Sequence, residues 1–286
     1  MVETDIAACF EAIPVEKLMH AVEERVCDQS VLKLLRVMLR AGVMQDGQVR
    51  RSVAGTPQGG VISPLLANIY LHRLDRSWDV REHGVLVRYA DDILVMGRSR
   101  EQAEAALRRL RALLADLGLA PKEAKTRIVQ LQVGEPGVDF LGFHHRLVRS
   151  QGRRGAKGVV FLARWPTNKA MQHIRDRIRS LTDRRRLLLS VGWIVEDINR
   201  VLRGWAAYFR YGNSARHFDK IMGYARMRVA GVIAKRHRRS RGFGWSVLAF
   251  QSPNYLGLIN LDGTVYAPRP FRAWREKPNA GGERRR

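Results

Sequence analysis

Three acidic residues are the part of this sequence best suited to chemistry. Asp91 and Asp92 are adjacent and lie between two apolar, β-rich runs, a pattern that predicts a hairpin with both acids at its turn. Two carboxylates at a turn repel each other, and a divalent cation between them would remove that repulsion. An ordinary acidic turn explains these two residues equally well. A third acid, Asp5, lies in another short strand-like run and favours the metal site.

The ion that these acids predict is Mg²⁺. It binds hard oxygen ligands in octahedral geometry and often keeps substrate phosphate oxygens among them. Two such ions about 4 Å apart can activate a 3′-hydroxyl group and stabilise a leaving pyrophosphate. This chemistry requires about three carboxylates on neighbouring strands, and Asp5, Asp91 and Asp92 could supply them.

The elements that must position these acids follow from the spacing of apolar residues. Apolar residues at helical spacing indicate helices, and short β-rich runs between turn residues indicate strands. The first half of the chain mixes both patterns and the second half is mainly helical, so the sequence predicts an α+β fold. Helices are predicted over residues 15–40, 61–78, 100–117, 167–184, 191–209 and 215–236, and strands near residue 5, beside the acidic turn and over residues 128–131, 139–144 and 255–266.

Charge divides the chain into two unlike halves. The sequence carries 51 Lys and Arg against 27 Asp and Glu, a formal net charge of +24. Residues 1–150 hold 21 of the basic and 19 of the acidic residues, so residues 151–286 carry nearly all of the excess. A region this basic repels itself unless a polyanion covers it, and nucleic acid is the predicted partner. A disordered basic tail is the alternative, but it does not fit the aromatic residues between 190 and 250.

Several classes of protein are excluded by composition. No run of about 18 apolar residues exists, so a membrane span is not expected, and the first residues have the pattern of neither a signal nor a transit peptide. Cys9 and Cys27 are the two cysteines, and because they form no Cys-x-x-Cys pair, a zinc ribbon is not expected. They suit a reducing, cytoplasmic interior, and both are expected to fill core space.

Five motifs in a fixed order carry a family resemblance. They occupy residues 5–10, 55–68, 89–92 (Tyr-Ala-Asp-Asp), 121–126 and 140–143 (Phe-Leu-Gly-Phe). With these motifs in this order, the chain resembles the reverse transcriptase/maturase proteins encoded by bacterial group II introns. Residues 202–213 resemble the maturase-specific region of the same family. The resemblance covers nearly the whole chain.

The resemblance implies a domain plan and a function. Residues 1–150 would form a reverse transcriptase palm, an antiparallel sheet with packed helices. Residues 151–270 would form a mostly α-helical thumb and maturase-specific RNA-binding region, and residues 271–286 a basic, disordered tail. The implied activity is RNA-directed DNA synthesis with two Mg²⁺ ions on an RNA template, a DNA primer and deoxynucleoside triphosphates. The implied second role is binding of group II intron RNA to assist splicing and mobility.

The resemblance also assigns catalytic roles. Asp5 and Asp91 would bind both ions, with Asp92 the more dispensable partner. Surface turn acids are the alternative for all three. Lys125, in the fourth motif, would stabilise the departing pyrophosphate or donate a proton to it. A solvated lysine is the alternative at that position.

A nucleotide site is implied by four further residues. Gln58 and Gly59 lie in a glycine-rich segment before a helix, where backbone N–H groups favour an anion, and Tyr89 precedes the catalytic acids. Phe10 would lie under the incoming sugar and exclude a 2′-hydroxyl group, which selects deoxynucleotides. From spacing alone, a core phenylalanine is the better explanation of Phe10, and Gln58 and Gly59 also suit plain helix entry.

Two basic segments are expected to bind RNA. In the maturase-like run, Trp205, Tyr208 and Phe209 share a helical face and are expected to be mainly buried, with Arg203 and Arg210 facing RNA. A second, dense run at the end of a predicted helix suits phosphate contacts of any sequence. Its members are Lys235, Arg236, Arg238, Arg239 and Arg241, and Arg184, Arg185 and Arg186 form a weaker basic patch.

One departure from the family leaves the function open. Relatives have a substantial fingers segment before the first catalytic aspartate, whereas Asp5 is almost at the amino terminus here. A separately encoded fingers segment is therefore a candidate partner. The alternative function is a truncated, catalytically inactive RNA-binding splicing factor, or the remnant of a decayed intron open reading frame.

Overall fold

The computed structural model describes residues 1–40, 43–45, 48–50, 61–150, 158–250 and 254–266. The chain divides into two compact units, unit 1 (Met1–Gln130) and unit 2 (Leu131–Arg286). The sequence predicted the boundary near residue 150, in a basic, glycine-rich loop. Residues 151–157 of that loop and the predicted tail at 271–286 lie outside the described part. The division falls earlier because strand residues before that loop pair with a strand after it.

Unit 1 is built on a four-stranded antiparallel sheet, accompanied by a separate two-stranded hairpin. The strands are β1 (Val2–Asp5), β2 (Val43–Gln45), β3 (Gln48–Arg50), β4 (Val85–Tyr89), β5 (Asp92–Met96) and β6 (Arg127–Ile128). β2 pairs with β3, and the larger sheet has the order β4-β5-β1-β6. The first strand of the chain therefore lies between the acidic hairpin and β6, although both are distant from it in sequence.

The two faces of the larger sheet differ in burial. On β1, Val2 and Thr4 are buried whereas Glu3 and Asp5 are partly exposed, because side chains alternate between the faces of a strand. Ile93 is paired with Thr4 across β1 and β5 and is buried with it. One face is therefore packed, and the face that carries Asp5 stays accessible.

Helices supply the rest of the core of unit 1. They are α1 (Cys9–Ala12), α2 (Val15–Glu23), α3 (Gln29–Arg40), α4 (Ser63–Arg76), α5 (Val80–His83) and α6 (Arg100–Asp116). The continuous helix predicted over residues 15–40 was wrong. Asp28 starts a second helix, because its carboxylate accepts hydrogen bonds from the backbone N–H groups of Ser30 (2.8 Å) and Val31 (3.2 Å). Cys9 is buried as predicted, but Cys27 is exposed between the two helices.

Unit 2 joins a three-stranded antiparallel sheet to a group of packed helices. Its elements are β7 (Val138–Phe140), β8 (Phe143–Arg149), β9 (Val160–Pro166), α7 (Asn168–Leu181), α8 (Val191–Phe209), α9 (Ala215–Arg236) and α10 (Arg241–Trp245). Ile174, Ile198 and Phe218, one from each of the long helices, meet in its core. α8 and α9 span the residues that helical spacing predicted.

The predicted α+β fold is confirmed, but two details of unit 2 were wrong. β9 was not predicted at all. The strand predicted over residues 255–266 is absent from that described segment, which contains the 3-10 turn Tyr255–Gly257 and loop. Tyr255 and Leu256 have φ values of 48° and 56°, which a strand excludes. Along the described chain, none of the helices has the length and apolar character that a bilayer crossing requires.

Candidate functional site

The register of the sheet brings two of the three predicted acids together. Asp5 on β1 and Asp92 on β5 are paired directly across the two strands, and Tyr89 on β4 is paired with Asp92 from the other side. Directly paired residues of antiparallel strands point to the same face. The three side chains therefore form a row across the accessible face of the sheet.

The turn of the acidic hairpin places Asp91 next to that row. Ala90 has a φ of 51°, a left-handed conformation that closes the tight turn between β4 and β5. Ile6 donates its backbone N–H to the carbonyl oxygen of Asp91 at 3.0 Å. Because Ile6 follows Asp5, the backbone segments that carry Asp5 and Asp91 are joined directly.

Asp92 is the acid whose ionisation is most perturbed. Burial raises the pKa of Asp92 from 3.8, and a side-chain hydrogen bond with Asp5 together with the charges of Asp5 and Asp91 raises it further, to about 6. A second carboxyl group at this distance disfavours the ionised form of Asp92, as burial also does. A divalent cation would relieve the same repulsion.

Lys125 lies at this pair of carboxyl groups. Its ammonium group forms an ion pair with Asp5, and that hydrogen bond raises the pKa of Lys125. The short 3-10 helix Glu123–Lys125 carries the side chain. This helix is fixed to β1 because Lys122 donates its backbone N–H to the carbonyl oxygen of Asp5 at 2.7 Å. The fold thus brings together Lys125 and Asp5, which lie near opposite ends of the sequence of unit 1.

The donor set suits a hard divalent cation in part. Asp5 and Asp92 present carboxylate oxygens side by side, and these are the ligands that Mg²⁺ prefers. Within the described residues, however, no three His, Cys, Asp or Glu side chains are gathered as ligands of one metal ion. The structure therefore brings Asp5 and Asp92 together and does not bring Asp91 into a common ligand group with them.

Arg88 holds the acidic turn in place, and sequence reasoning missed it. Its guanidinium group contacts both carboxylate oxygens of Asp75 (2.9 and 2.6 Å) and donates to the side chain of Asn68 (2.9 Å) and the carbonyl of Ala90 (3.0 Å). The Arg88 side chain is only 10% exposed. A signal for this network was available: Asn68 and Asp75 are seven residues apart on a predicted helix and so share a face.

The predicted nucleotide-binding residues are described in part. Phe10 lies in α1 and packs partly against the core of unit 1, as the alternative explanation expected. Tyr89 is exposed at the end of the row that contains Asp92. Gln58 and Gly59 lie outside the described residues.

The predicted basic run is exposed throughout. Lys235 and Arg236 form the last turn of α9, where positive charge interacts favourably with the helix dipole. The run then continues around the turn into α10. Its members, each exposed, are Lys235, Arg236, Arg238, Arg239 and Arg241.

The aromatic residues of α8 are buried to different degrees. Phe209 is buried and Trp205 is partly buried, as expected. The expectation that Tyr208 is mainly buried was wrong, since the residue is 52% exposed. Its hydroxyl donates to the carbonyl oxygen of Leu141 at 2.8 Å, which keeps the ring at the surface beside the β7-β8 turn.

The two arginines of the same helix also differ. Arg203 is exposed and forms an ion pair with Glu196 at 3.1 Å. Arg210 is partly buried, and its guanidinium lies 4.5 Å from the ring centre of Tyr266. Arg203 is therefore the more exposed of the two, whereas the guanidinium group of Arg210 lies partly against an aromatic ring.

Two family models match the chain. The model for reverse transcriptase (RNA-dependent DNA polymerase) matches residues 1–145, and the model for the group II intron maturase-specific domain matches residues 171–249. The first match contains the row of Asp5, Asp92 and Tyr89 together with Lys125. The second contains α8, α9 and the basic run.

Parts of the chain are also similar to individual proteins. An uncharacterized 91 kDa protein in the cob intron of Schizosaccharomyces pombe is 25% identical over 76% of this chain and 35% of its own length. Protein YkfC of Escherichia coli is 32% identical over 56% of this chain and 50% of its own. The group II intron-encoded protein LtrA of Lactococcus lactis is 43% identical over 26% of this chain and 12% of its own.

The chain thus spans at most half the length of these relatives. Its first 145 residues nevertheless match the polymerase model, and a maturase-specific match follows in the expected order. The chain belongs to the reverse transcriptase family, among the group II intron reverse transcriptase/maturase proteins.

Proposed function

We propose that this chain catalyses RNA-directed DNA synthesis with unit 1 and binds group II intron RNA with unit 2. The polymerase palm of this proposal extends over residues 1–150, and the thumb and maturase region over residues 151–270. The observation that carries the catalytic part is the direct pairing of Asp5 with Asp92 across β1 and β5. Strand pairing puts two acids that are far apart in sequence side by side on an accessible face, where a primer end and a nucleotide can reach them.

In this proposal, Asp5, Asp91 and Asp92 hold two Mg²⁺ ions. When bound, the ions activate the primer 3′-hydroxyl group and stabilise the charge of the leaving pyrophosphate. Asp92 must be ionised to act as a ligand, and its pKa of about 6 therefore favours metal binding at neutral rather than acidic pH. Asp91 lies at the turn that Arg88 holds, next to this pair, and would join the ligand group when the ions bind.

Lys125 and the nucleotide-site residues complete the proposed mechanism. The raised pKa of Lys125 keeps its ammonium group protonated, so it can stabilise phosphate charge or donate a proton to the departing pyrophosphate. Its ion pair with Asp5 keeps that group at the site. Tyr89, Gln58 and Gly59 line the incoming deoxynucleotide, and Phe10 excludes a 2′-hydroxyl group.

Binding of intron RNA is the second part of the proposal. The exposed basic run of residues 235–241, together with Arg203 and Arg210, contacts RNA phosphates. Such contacts position RNA without reading its sequence, so the intron is selected by its folded shape. This role needs none of the acids of unit 1 and supports splicing independently of DNA synthesis.

Primer extension tests the catalytic part. On poly(rA)/oligo(dT) with Mg²⁺, the wild-type chain should incorporate dTTP, and the double variant Asp91→Ala/Asp92→Ala should lose activity by about 1,000-fold or more, because the metal ligands are removed. A matched control, Glu16→Ala/Glu104→Ala, removes two other acids of unit 1 and should keep activity. If the wild type is as silent as the acid-deleted variant, catalysis is ruled out and the non-catalytic RNA-binding function remains.

A further inference from the structure

Two large apolar side chains are exposed on the most basic part of unit 2. Leu188 is 94% exposed, and Trp193, in the first turn of α8, is 73% exposed. We call this pair the Trp193 platform. Single exposed apolar residues are common, but an exposed tryptophan is a large apolar surface, and neither residue belongs to the core cluster of unit 2. Its surroundings indicate what covers it.

Basic groups from two distant parts of the chain meet around the platform. The 3-10 helix Arg184–Arg186 lies just before it and is capped by Asp183, which accepts the backbone N–H of Arg185 at 3.0 Å. From the end of α9, Arg236 donates to the carbonyl oxygen of Leu189 at 2.7 Å. That bond fixes the basic run of residues 235–241 beside the loop that carries Leu188. In sequence the two basic patches are about fifty residues apart, so only the fold joins them.

The helix face of Trp193 carries further arginines in fixed positions. Asp197 and Arg200 follow Trp193 by four and seven residues and so lie along the same face. Asp197 forms ion pairs with Arg186 and, at 3.1 Å, with Arg200, which holds both guanidinium groups along that face. One carboxylate between two arginines leaves a net positive charge beside the indole.

Arg184 and Arg185 add two more charges. Both are exposed, and among the described residues neither forms an ion pair. The Asp183 carboxylate lies close enough to Arg185 for their charges to interact, but no ion pair holds either guanidinium group, so phosphates can approach both. An apolar plane flanked by free cations matches a single-stranded nucleic acid, whose bases offer stacking faces and whose backbone offers phosphates.

We propose that the Trp193 platform stacks against unpaired bases of RNA whose phosphates lie on Arg184, Arg185 and the basic run. The proposal rests on the RNA-binding function proposed above and adds to it a preference for unpaired over paired segments. A duplex keeps its bases stacked on one another and cannot offer a free face to the indole. The basic groups bind either form, but the platform binds only single strands.

Two variants of Trp193 test this preference. Binding of a single-stranded RNA and of a fully paired RNA of the same length is measured by fluorescence anisotropy at one salt concentration. Trp193→Ala should weaken single-strand binding about 10-fold, because one stacked base contributes about that much, and should change duplex binding less than about 2-fold. Trp193→Phe keeps an aromatic face and should recover most of the loss.

The controls separate this proposal from the one on which it rests. Leu162→Ala removes another exposed apolar side chain of unit 2, on β9, and should affect neither RNA. If wild type binds both RNAs but Trp193→Ala binds single strands equally well, the platform is wrong and the RNA-binding function stands. Equal losses on both RNAs would also overturn stacking. Absence of RNA binding by wild type would overturn both proposals.

Discussion

The two units of this protein use charge in opposite ways. Residues 1–130 contain 19 Lys and Arg against 17 Asp and Glu, whereas residues 131–286 contain 32 against 10. In unit 1, individual charges are placed one by one: strand register pairs Asp5 with Asp92, and a short 3-10 helix brings Lys125 to Asp5. In unit 2, positive charge is in large excess, and the exposed basic run of residues 235–241 forms no ion pair within the described part of the chain.

This difference sets how each unit responds to substitution. A site that depends on pairing fails when one member is moved, because metal ligands must lie close together. A basic surface depends on the number of phosphates that it neutralises, and each charge adds a similar increment. Single changes should therefore be severe in unit 1, and in unit 2 the effect of removing charge should grow with the number of charges removed.

Removal of several charges from unit 2 should have the largest effect on RNA binding. In the variant Lys235→Gln/Arg238→Gln/Arg239→Gln/Arg241→Gln, affinity for single-stranded RNA at low salt should fall about 100-fold or more. The slope of the logarithm of the binding constant against the logarithm of salt concentration should decrease by about 3, since each phosphate contact on a single strand contributes about 0.7. Anisotropy titrations at several salt concentrations measure both quantities.

The matched control removes four exposed arginines from unit 1, by Arg81→Gln/Arg100→Gln/Arg108→Gln/Arg109→Gln. The net charge changes by the same amount, but the slope should change little. A control slope as shallow as that of the first variant would mean that RNA affinity follows total charge. The contrast between the units would then be lost for RNA binding.

Arg88→Ala should have the next largest effect, on the stability of unit 1. The substitution leaves Asp75 without its two-point contact and releases the Ala90 carbonyl, so the free energy of unfolding should fall by about 2–4 kcal/mol. Arg88→Lys should recover little of this, because an ammonium group cannot reproduce the planar contact with a carboxylate. Urea denaturation measures the change.

The comparison for Arg88 is an exposed arginine of the same unit. Arg100 pairs with Glu104 at 3.0 Å one helical turn away and is largely exposed. Arg100→Ala should therefore lower the free energy of unfolding by less than about 0.5 kcal/mol. Equal losses for the two alanine variants would show that the buried network does not hold the acidic turn.

The sequence predicted the parts of the site but not all of their contacts. Alternation and β-rich runs indicate that Asp5 and the acidic hairpin lie on strands. They do not say which strands pair, and the order of the family motifs supplied that link. The Arg88 network was missed because a polar contact between a helix and a turn leaves only weak spacing in sequence.

In unit 2 as well, the sequence predicted helices but not the contacts between them. Helical spacing predicted α8 and α9, since their apolar faces repeat over many turns. The approach of Arg236 to Leu189, which joins the two basic patches, depends on how the helices pack and leaves no periodic signal. The prediction of a strand over residues 255–266 was wrong. Leu258 and Leu261 are buried in the core of unit 2, where they pack with residues of the long helices.

The smallest predicted effect tests the pairing of carboxyl groups directly. The pKa of Asp92 is about 6 in the folded chain and 3.8 without the fold, so the folded state alone takes up this proton between those values. The ionised group therefore lowers stability above about pH 6, and this penalty disappears below about pH 4. Asp92→Asn should raise the free energy of unfolding by about 1 kcal/mol at pH 7.5, a figure reduced for partial exposure, and by almost nothing at pH 4.

Magnesium should reverse the difference in stability between Asp92→Asn and the wild type. A cation that binds the folded wild type stabilises it, whereas Asp92→Asn lacks a ligand and gains less. In thermal melts at pH 7.5 without Mg²⁺, Asp92→Asn should therefore have a higher melting temperature than the wild type. This difference should shrink as Mg²⁺ is added. Asp116→Asn, an exposed acid on α6, serves as the control and should respond to neither pH nor metal in this way. A gain that is equal at both pH values would mean that Asp5 and Asp92 do not repel each other, and unit 1 would then lose the paired charges that distinguish it from unit 2.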